Sequence, residues 1–161
     1  MDSRITFRPI EPGDMEFLLR IYRSTREEEL AMIVDWTAEM KDAFIRQQFG
    51  AQHVWYQEHY PGASFDIILV DSVPAGRLYV HRRPNEIRLV DIAFLPEFRN
   101  GGSGTSILRD LLAEGEAAGK PVTIHVEIYN PAMRLYERLG FRPVEDRGPY
   151  RLMEWRPPDL G

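Results

Sequence analysis

The chain has 161 residues, a formal net charge of −5 and no cysteine. That length fits one domain, residues 1–161, with enough chain to bury a sizeable core without staples. The missing thiols exclude disulfides, thiolate metal sites and a cysteine nucleophile, and the acidic balance argues against nucleic acid as the main partner. No apolar run approaches a membrane span, and Met1 to Thr6 carry no apolar leader, so the expectation is a cytoplasmic protein that does not engage a membrane.

Residues 5–8 alternate apolar and polar, as a short strand does, and Pro9 with the Pro12-Gly13 turn ends it. Asp14 is placed to cap a helix whose stripe is Phe17, Leu18, Ile21 and Tyr22. The acidic run Glu27 to Glu29 reads as a solvated face. Thr37 caps a second long helix that reaches about Tyr60, where Pro61-Gly62 stops it. This helix is rich in Gln, His and aromatic residues, where an ordinary amphipathic helix would carry Lys, Glu and Leu. His53 and His59 are six apart, off a common helix face, so no metal site is expected.

Residues 65–70, 75–80 and 86–94 are β-branched runs separated by Asp71 to Pro74 and by Arg83-Pro84-Asn85, the pattern of an antiparallel meander. After Phe94-Leu95-Pro96 comes Arg99-Asn100-Gly101-Gly102-Ser103-Gly104-Thr105, with three glycines in four residues. Ile107, Leu108, Leu111 and Leu112 then recur at helical spacing, and Gly119 closes that helix. A strand running into a glycine turn that opens a helix offers unpaired N–H groups at the positive end of the helix dipole, a site suited to phosphate. Residues 122–127 form a strand expected to lie parallel to the third meander strand. Asn130-Pro131 caps and starts a last helix with Met133, Leu135, Tyr136 and Leu139; residues 141–144 and 150–155 close as two strands.

The predicted fold class is α+β with a mixed sheet, in the order β-α-α-β-β-β-α-β-α-β-β. The loop lacks the Gly-Lys-Ser/Thr ending of a Walker A sequence and the spacing of dinucleotide folds. Arg99-x-x-Gly102-x-Gly104, taken with the block from Asn130 to Phe141, resembles the GNAT superfamily of acyl-CoA N-acyltransferases, and the element order is similar along almost the whole chain. The resemblance implies acetyl-CoA as cosubstrate, bound where two central strands splay apart. Its pyrophosphate would meet the loop amides of Asn100, Gly101, Gly102, Ser103, Gly104 and Thr105, with Arg99 also counted among the cofactor-binding residues. Its pantetheine arm would meet the backbone of Phe94 and Leu95 and the side chain of Asn130. Tyr136 matches the tyrosine placed near the thioester sulfur. Ser103 and Gly101 depart from the bulky aliphatic and the basic residue usual in the family.

For the general base three side chains stand open, as does a water chain. His125 and Glu127 share one face of their strand, and Asp91 lies on the other splayed strand beside Leu89 and Ala93. The expected activity is acetyl transfer to a primary amine of a small molecule or a peptide. A coenzyme A sensor without turnover, or another acyl donor or acceptor, are the competitors. The acceptor is not legible, and a homodimer, common in that family, is left open.

Overall fold

The computed structural model describes residues 4–158. Met1 to Ser3, the start of the stretch read for a leader, lie outside the described residues. Among the described residues, seven strands and four helices follow one another in the expected order: β1 (Ile5–Pro9), α1 (Met15–Ala31), α2 (Ala38–His59), β2 (Ser64–Val70), β3 (Val73–Arg82), β4 (Ile87–Phe94), α3 (Ser103–Ala118), β5 (Val122–Glu127), α4 (Met133–Arg138), β6 (Arg142–Arg147) and β7 (Tyr150–Trp155). The sheet order is β1-β2-β3-β4-β5-β7-β6. The chain groups into two compact units, Met1–Leu78 with Ala93–Arg99, and Tyr79–Ile92 with Asn100–Gly161.

In the first unit β1 pairs antiparallel with β2. The connection from β2 to β3 is only Asp71-Ser72, both at positive φ (50° and 69°), which is the two-residue hairpin geometry that matches strand twist. Val73 and Pro74, expected in the turn, therefore belong to β3. Leu18, Leu19, Ile21 and Tyr22 of α1 pack with Ile45 and Phe49 of α2, Ile67 of β2 and Leu95. Thr37 caps α2 by accepting from the Met40 N–H at 3.1 Å. Asp14 does not cap α1 with its side chain as expected. Its carboxylate instead turns back to accept from the Glu11 N–H at 2.8 Å and from both terminal nitrogens of Arg8 at 2.8 and 2.9 Å. The bidentate cation is the stronger partner, and it holds the Asp14 carboxyl below its ordinary range.

In the second unit β4 runs parallel to β5, and β5 and β6 both pair antiparallel with β7. The hairpin thus inserts its second strand beside β5 and leaves β6 at the edge. That edge carries Pro143, four charges and a register break between Pro143 and Glu145, features that discourage further strand pairing. Gly119 ends α3 at φ +67°, with the Lys120 N–H closing on the Gly115 carbonyl at 2.8 Å. A Cβ on Gly115 would stand 2.8 Å from the Lys120 carbonyl and 3.0 and 3.1 Å from Val122 and Trp155, so α3 packs closely on the face those two residues share. The last helix begins at Met133 rather than at Pro131. Asn130 caps the preceding turn, its Oδ1 accepting from the Ala132 N–H at 2.8 Å.

Candidate active site

Parallel pairing of β4 with β5 covers only Ile87–Val122, Arg88–Thr123 and Leu89–Ile124. Beyond it β5 stays bonded to β7 through all six of its residues, while β4 runs on without β5. The residues just past the last pair therefore flank an opening in the sheet. In a strand alternate residues share a face, and register places Asp91 on the face of Leu89 and Ile124, the one that packs against α3.

Tyr136 of α4 is 5% exposed and sets its ring edge-on to Phe141 at 5.8 Å. Burial, and then the charge of Asp91, push its phenol up to about 12. A phenol so placed stays protonated throughout the neutral range, so it can donate a proton or a hydrogen bond but is not a base.

His125 and Glu127 lie on the opposite face of the sheet from Asp91. Arg88 threads a polar row there: Nε donates to Thr123 Oγ1 at 2.8 Å, Nη2 to Glu86 at 3.2 Å, and Nη1 lies 3.1 Å from His125 Nδ1. Arg147 Nη1 lies 3.2 Å from His125 Nε2. The imidazole is thus held between two guanidinium groups. Burial first, and then the charges of Arg88 and Arg147, lower its pKa from 6.5, so it is neutral at pH 7. A neutral imidazole has one free lone pair, and here a fixed cation stands before each ring nitrogen.

Gly76, which the pattern reading passed over, bears on the end of β4. A Cβ there would sit 2.3 Å from the Ala93 carbonyl and 3.1 Å from Phe94 Cα. A glycine inside a strand is a sequence signal for such an approach. The Leu95 N–H donates to the Ala75 carbonyl at 2.9 Å. Because strand peptides alternate in direction, the Phe94 N–H points to the edge turned away from β3. Arg99 binds the Phe94 carbonyl through Nε at 3.0 Å and Ser24 Oγ through Nη2 at 2.9 Å. Its side chain braces this segment.

The glycine turn that follows has Asn100 at φ +62° and Gly102 at φ +86°. Ser106 is the residue whose N–H reaches the Gly102 carbonyl, at 3.0 Å. The N–H groups of Ser103, Gly104 and Thr105 precede that first helical bond and are the ones a helix N-terminus leaves for an anion. A Cβ built on Gly101 or Gly102 meets nothing within 4 Å, so the space before this turn is open. Asn130, whose oxygen is used in its own turn, keeps its amide N–H₂ without a bond among the described residues. No helix is long and apolar enough to cross a membrane, and no group of three metal-ligating residues occurs, among the described residues.

A sequence profile of the Acetyltransferase (GNAT) family matches residues 19–141. The chain belongs to this family. The GNAT assignment agrees with the fold. The PaiA N-acetyltransferase of Thermoplasma acidophilum, solved with coenzyme A, superposes with a TM-score of 0.69 at 19% identity over 95% of this chain and 99% of its own. The ribosomal-protein-S18-alanine N-acetyltransferase of Escherichia coli gives 0.63 at 18% identity over 95% of this chain and 94% of its own. Two curated relatives, the cysteine-rich protein 2-binding proteins of human and mouse, are 42% and 38% identical over 87 residues, 53% of this chain. The aligned segment is only 11% of their length.

Proposed function

We propose that this GNAT protein transfers the acetyl group of acetyl-CoA to a primary amine of a small molecule or a peptide. The observation that carries this reading is the buried phenol of Tyr136 under the influence of the Asp91 carboxylate, beside the opening between β4 and β5. The coenzyme A pyrophosphate would take the N–H groups of Asn100 to Thr105. Its pantetheine arm would take the backbone of Phe94 and Leu95 and the free amide of Asn130. The residues present fit such a group: the N–H donors precede the first helical bond, and the space before Gly101 and Gly102 is open.

With no cysteine, the amine attacks the thioester carbon directly. Asp91 accepts the proton the amine loses, directly or through water, and the Phe94 N–H stabilises the carbonyl oxygen as it gains charge. The carbon–sulfur bond then breaks and the leaving sulfur takes the proton of Tyr136. Proton return from Asp91 to Tyr136 resets the pair. His125, which faces two guanidinium groups, is the weaker candidate for the base. The cytoplasm is our assignment of compartment, supported by the absence of cysteine from the sequence.

Thiol release from acetyl-CoA against a panel of amines tests this reading. Amine-dependent release supports it. Coenzyme A binding without release on any amine turns the assignment to a sensor, and absence of binding removes both.

A further inference from the structure

His125 is the first residue of β5 beyond its last pairing with β4, so it stands at the rim of the opening, on the face turned away from Asp91. Arg88 and Arg147 face its two ring nitrogens at 3.1 and 3.2 Å. Both contacts cannot be hydrogen bonds. A neutral imidazole has one N–H and one lone pair, and a guanidinium only donates. Either Arg88 or Arg147 therefore meets an N–H group head-on.

The surroundings decide which. Arg88 is 9% exposed, and its other nitrogens are held by Thr123 Oγ1 at 2.8 Å and Glu86 at 3.2 Å. Displacing a buried guanidinium from two acceptors is costly, so Nδ1 keeps the lone pair and accepts from Arg88. The hydrogen is then on Nε2. Arg147, half exposed on the edge strand β6, has Glu145 as its one ion-pair partner among the described residues, at 3.0 Å. An exposed pair of that kind is held loosely. The Nε2–H thus has no acceptor among the described residues, and the cation before it is the one that can shift.

We propose that this N–H and the Arg147 guanidinium together bind an oxyanion, a carboxylate or a phosphate, carried by the acceptor amine. The inference rests on the acetyl-transfer reading above. An anionic oxygen accepts from both donors once Arg147 swings off the ring, and a bond between cation and oxyanion is charge-assisted. Arg147 already takes a carboxylate, that of Glu145 two residues along its own strand, so the incoming anion exchanges with an internal one. Other carboxylates of this face are engaged away from the ring, Glu86 on Arg83 and Arg88 and Glu154 on Arg156, and Glu127 stands two residues beyond His125. The anion site and Asp91 lie on opposite faces, so the acceptor reaches its amine through the opening. A sheet with its side chains is about 10 Å thick. That favours an amine set several atoms away from the anion over an α-amino acid.

The test compares acetyl transfer to ω-amino acids and to aminoalkyl phosphates with transfer to uncharged alkylamines of equal length; the two anionic series tell carboxylate from phosphate. One anionic series is expected to show a KM at least about tenfold below its uncharged partner, the scale of a hydrogen bond to a charged group. Arg147→Gln should raise KM for the anionic amine and close that gap. Glu145→Gln deletes the internal competitor and should lower the same KM about two- to fivefold. A general loss of structure does not give opposite shifts from the two halves of one ion pair. Equal KM for charged and uncharged amines overturns the proposal. So does an Arg147→Gln change that falls equally on both, or a Glu145→Gln change that fails to lower KM. If no amine is turned over, the acetyl-transfer reading fails, and proton–nitrogen correlation spectra of the imidazole, recorded on the wild-type chain with coenzyme A, judge the site alone. The Nε2–H tautomer, with a signal that shifts on adding acetate or inorganic phosphate and no longer shifts in Arg147→Gln, supports the site. The Nδ1–H tautomer, or a signal that neither anion moves, overturns it.

Discussion

Tyr136, Asp91 and His125 separate by what surrounds them. Tyr136→Phe keeps the packing on Phe141 and removes only the proton, so kcat should fall by about 10²–10⁴ with little change in KM for acetyl-CoA. Asp91→Asn should lower the rate comparably, whereas His125→Asn should leave most of it; steady-state kinetics on one responsive amine reads all three. His125 also makes a pH prediction. Its pKa in the folded chain lies below the unfolded value of 6.5, so the unfolded state binds more protons as acid is added. Its contribution to stability is therefore complete above pH 6.5 and is lost as the pH falls toward the lowered folded value. Urea unfolding followed from pH 7.5 to 5 should show that decline, and His125→Asn should make it shallower. His53, lowered chiefly by burial, contributes in the same direction.

At the scale of elements, two glycines hold the strand–turn–helix segment for different reasons. Gly76 is required by contact, because any side chain meets the Ala93 carbonyl and the Phe94 backbone. Gly76→Ala should cost about 3 kcal/mol, the upper range for overpacking, since the opposing atoms are backbone and cannot rotate away. Gly102 is required by conformation alone: nothing lies near a Cβ there, but φ is +86°. Gly102→Ala should cost about 1–2 kcal/mol. Thermal or urea unfolding of the two variants checks both magnitudes and their order. The caps of α2 and α3, at Thr37 and Gly119, were legible because a cap is a local hydrogen-bond device with a local sequence mark. The start of α4 was less so. Asn130 bonds Ala132 in a turn of its own, and the helix waits until Met133. Asp14 misled for a similar reason: a capping residue is legible, but the distant arginine that competes for its carboxylate is not.

For the whole molecule, a cosubstrate that binds only the folded chain should stabilise it by RT ln(1 + [L]/Kd), about 2.7 kcal/mol at one hundred times Kd. Coenzyme A should raise the thermal midpoint accordingly and adenine alone should not, because the proposed site is built around the pyrophosphate and pantetheine. The element order, the glycine turn and the residues that resemble the GNAT pattern were all present in the sequence, since periodicity, turn chemistry and motif spacing are properties of neighbours along the chain. Only the tertiary structure separated Asp91 from His125. The two stand on opposite faces because register between β4 and β5 is set by pairing across the sheet, and that pairing brought two guanidinium groups to His125 from β4 and β6. It also showed which stripe of α2 is buried and which is left bare. Two apolar stripes on one helix look alike in sequence, and only the packing of α1 and β2 against one of them distinguishes a core from a surface.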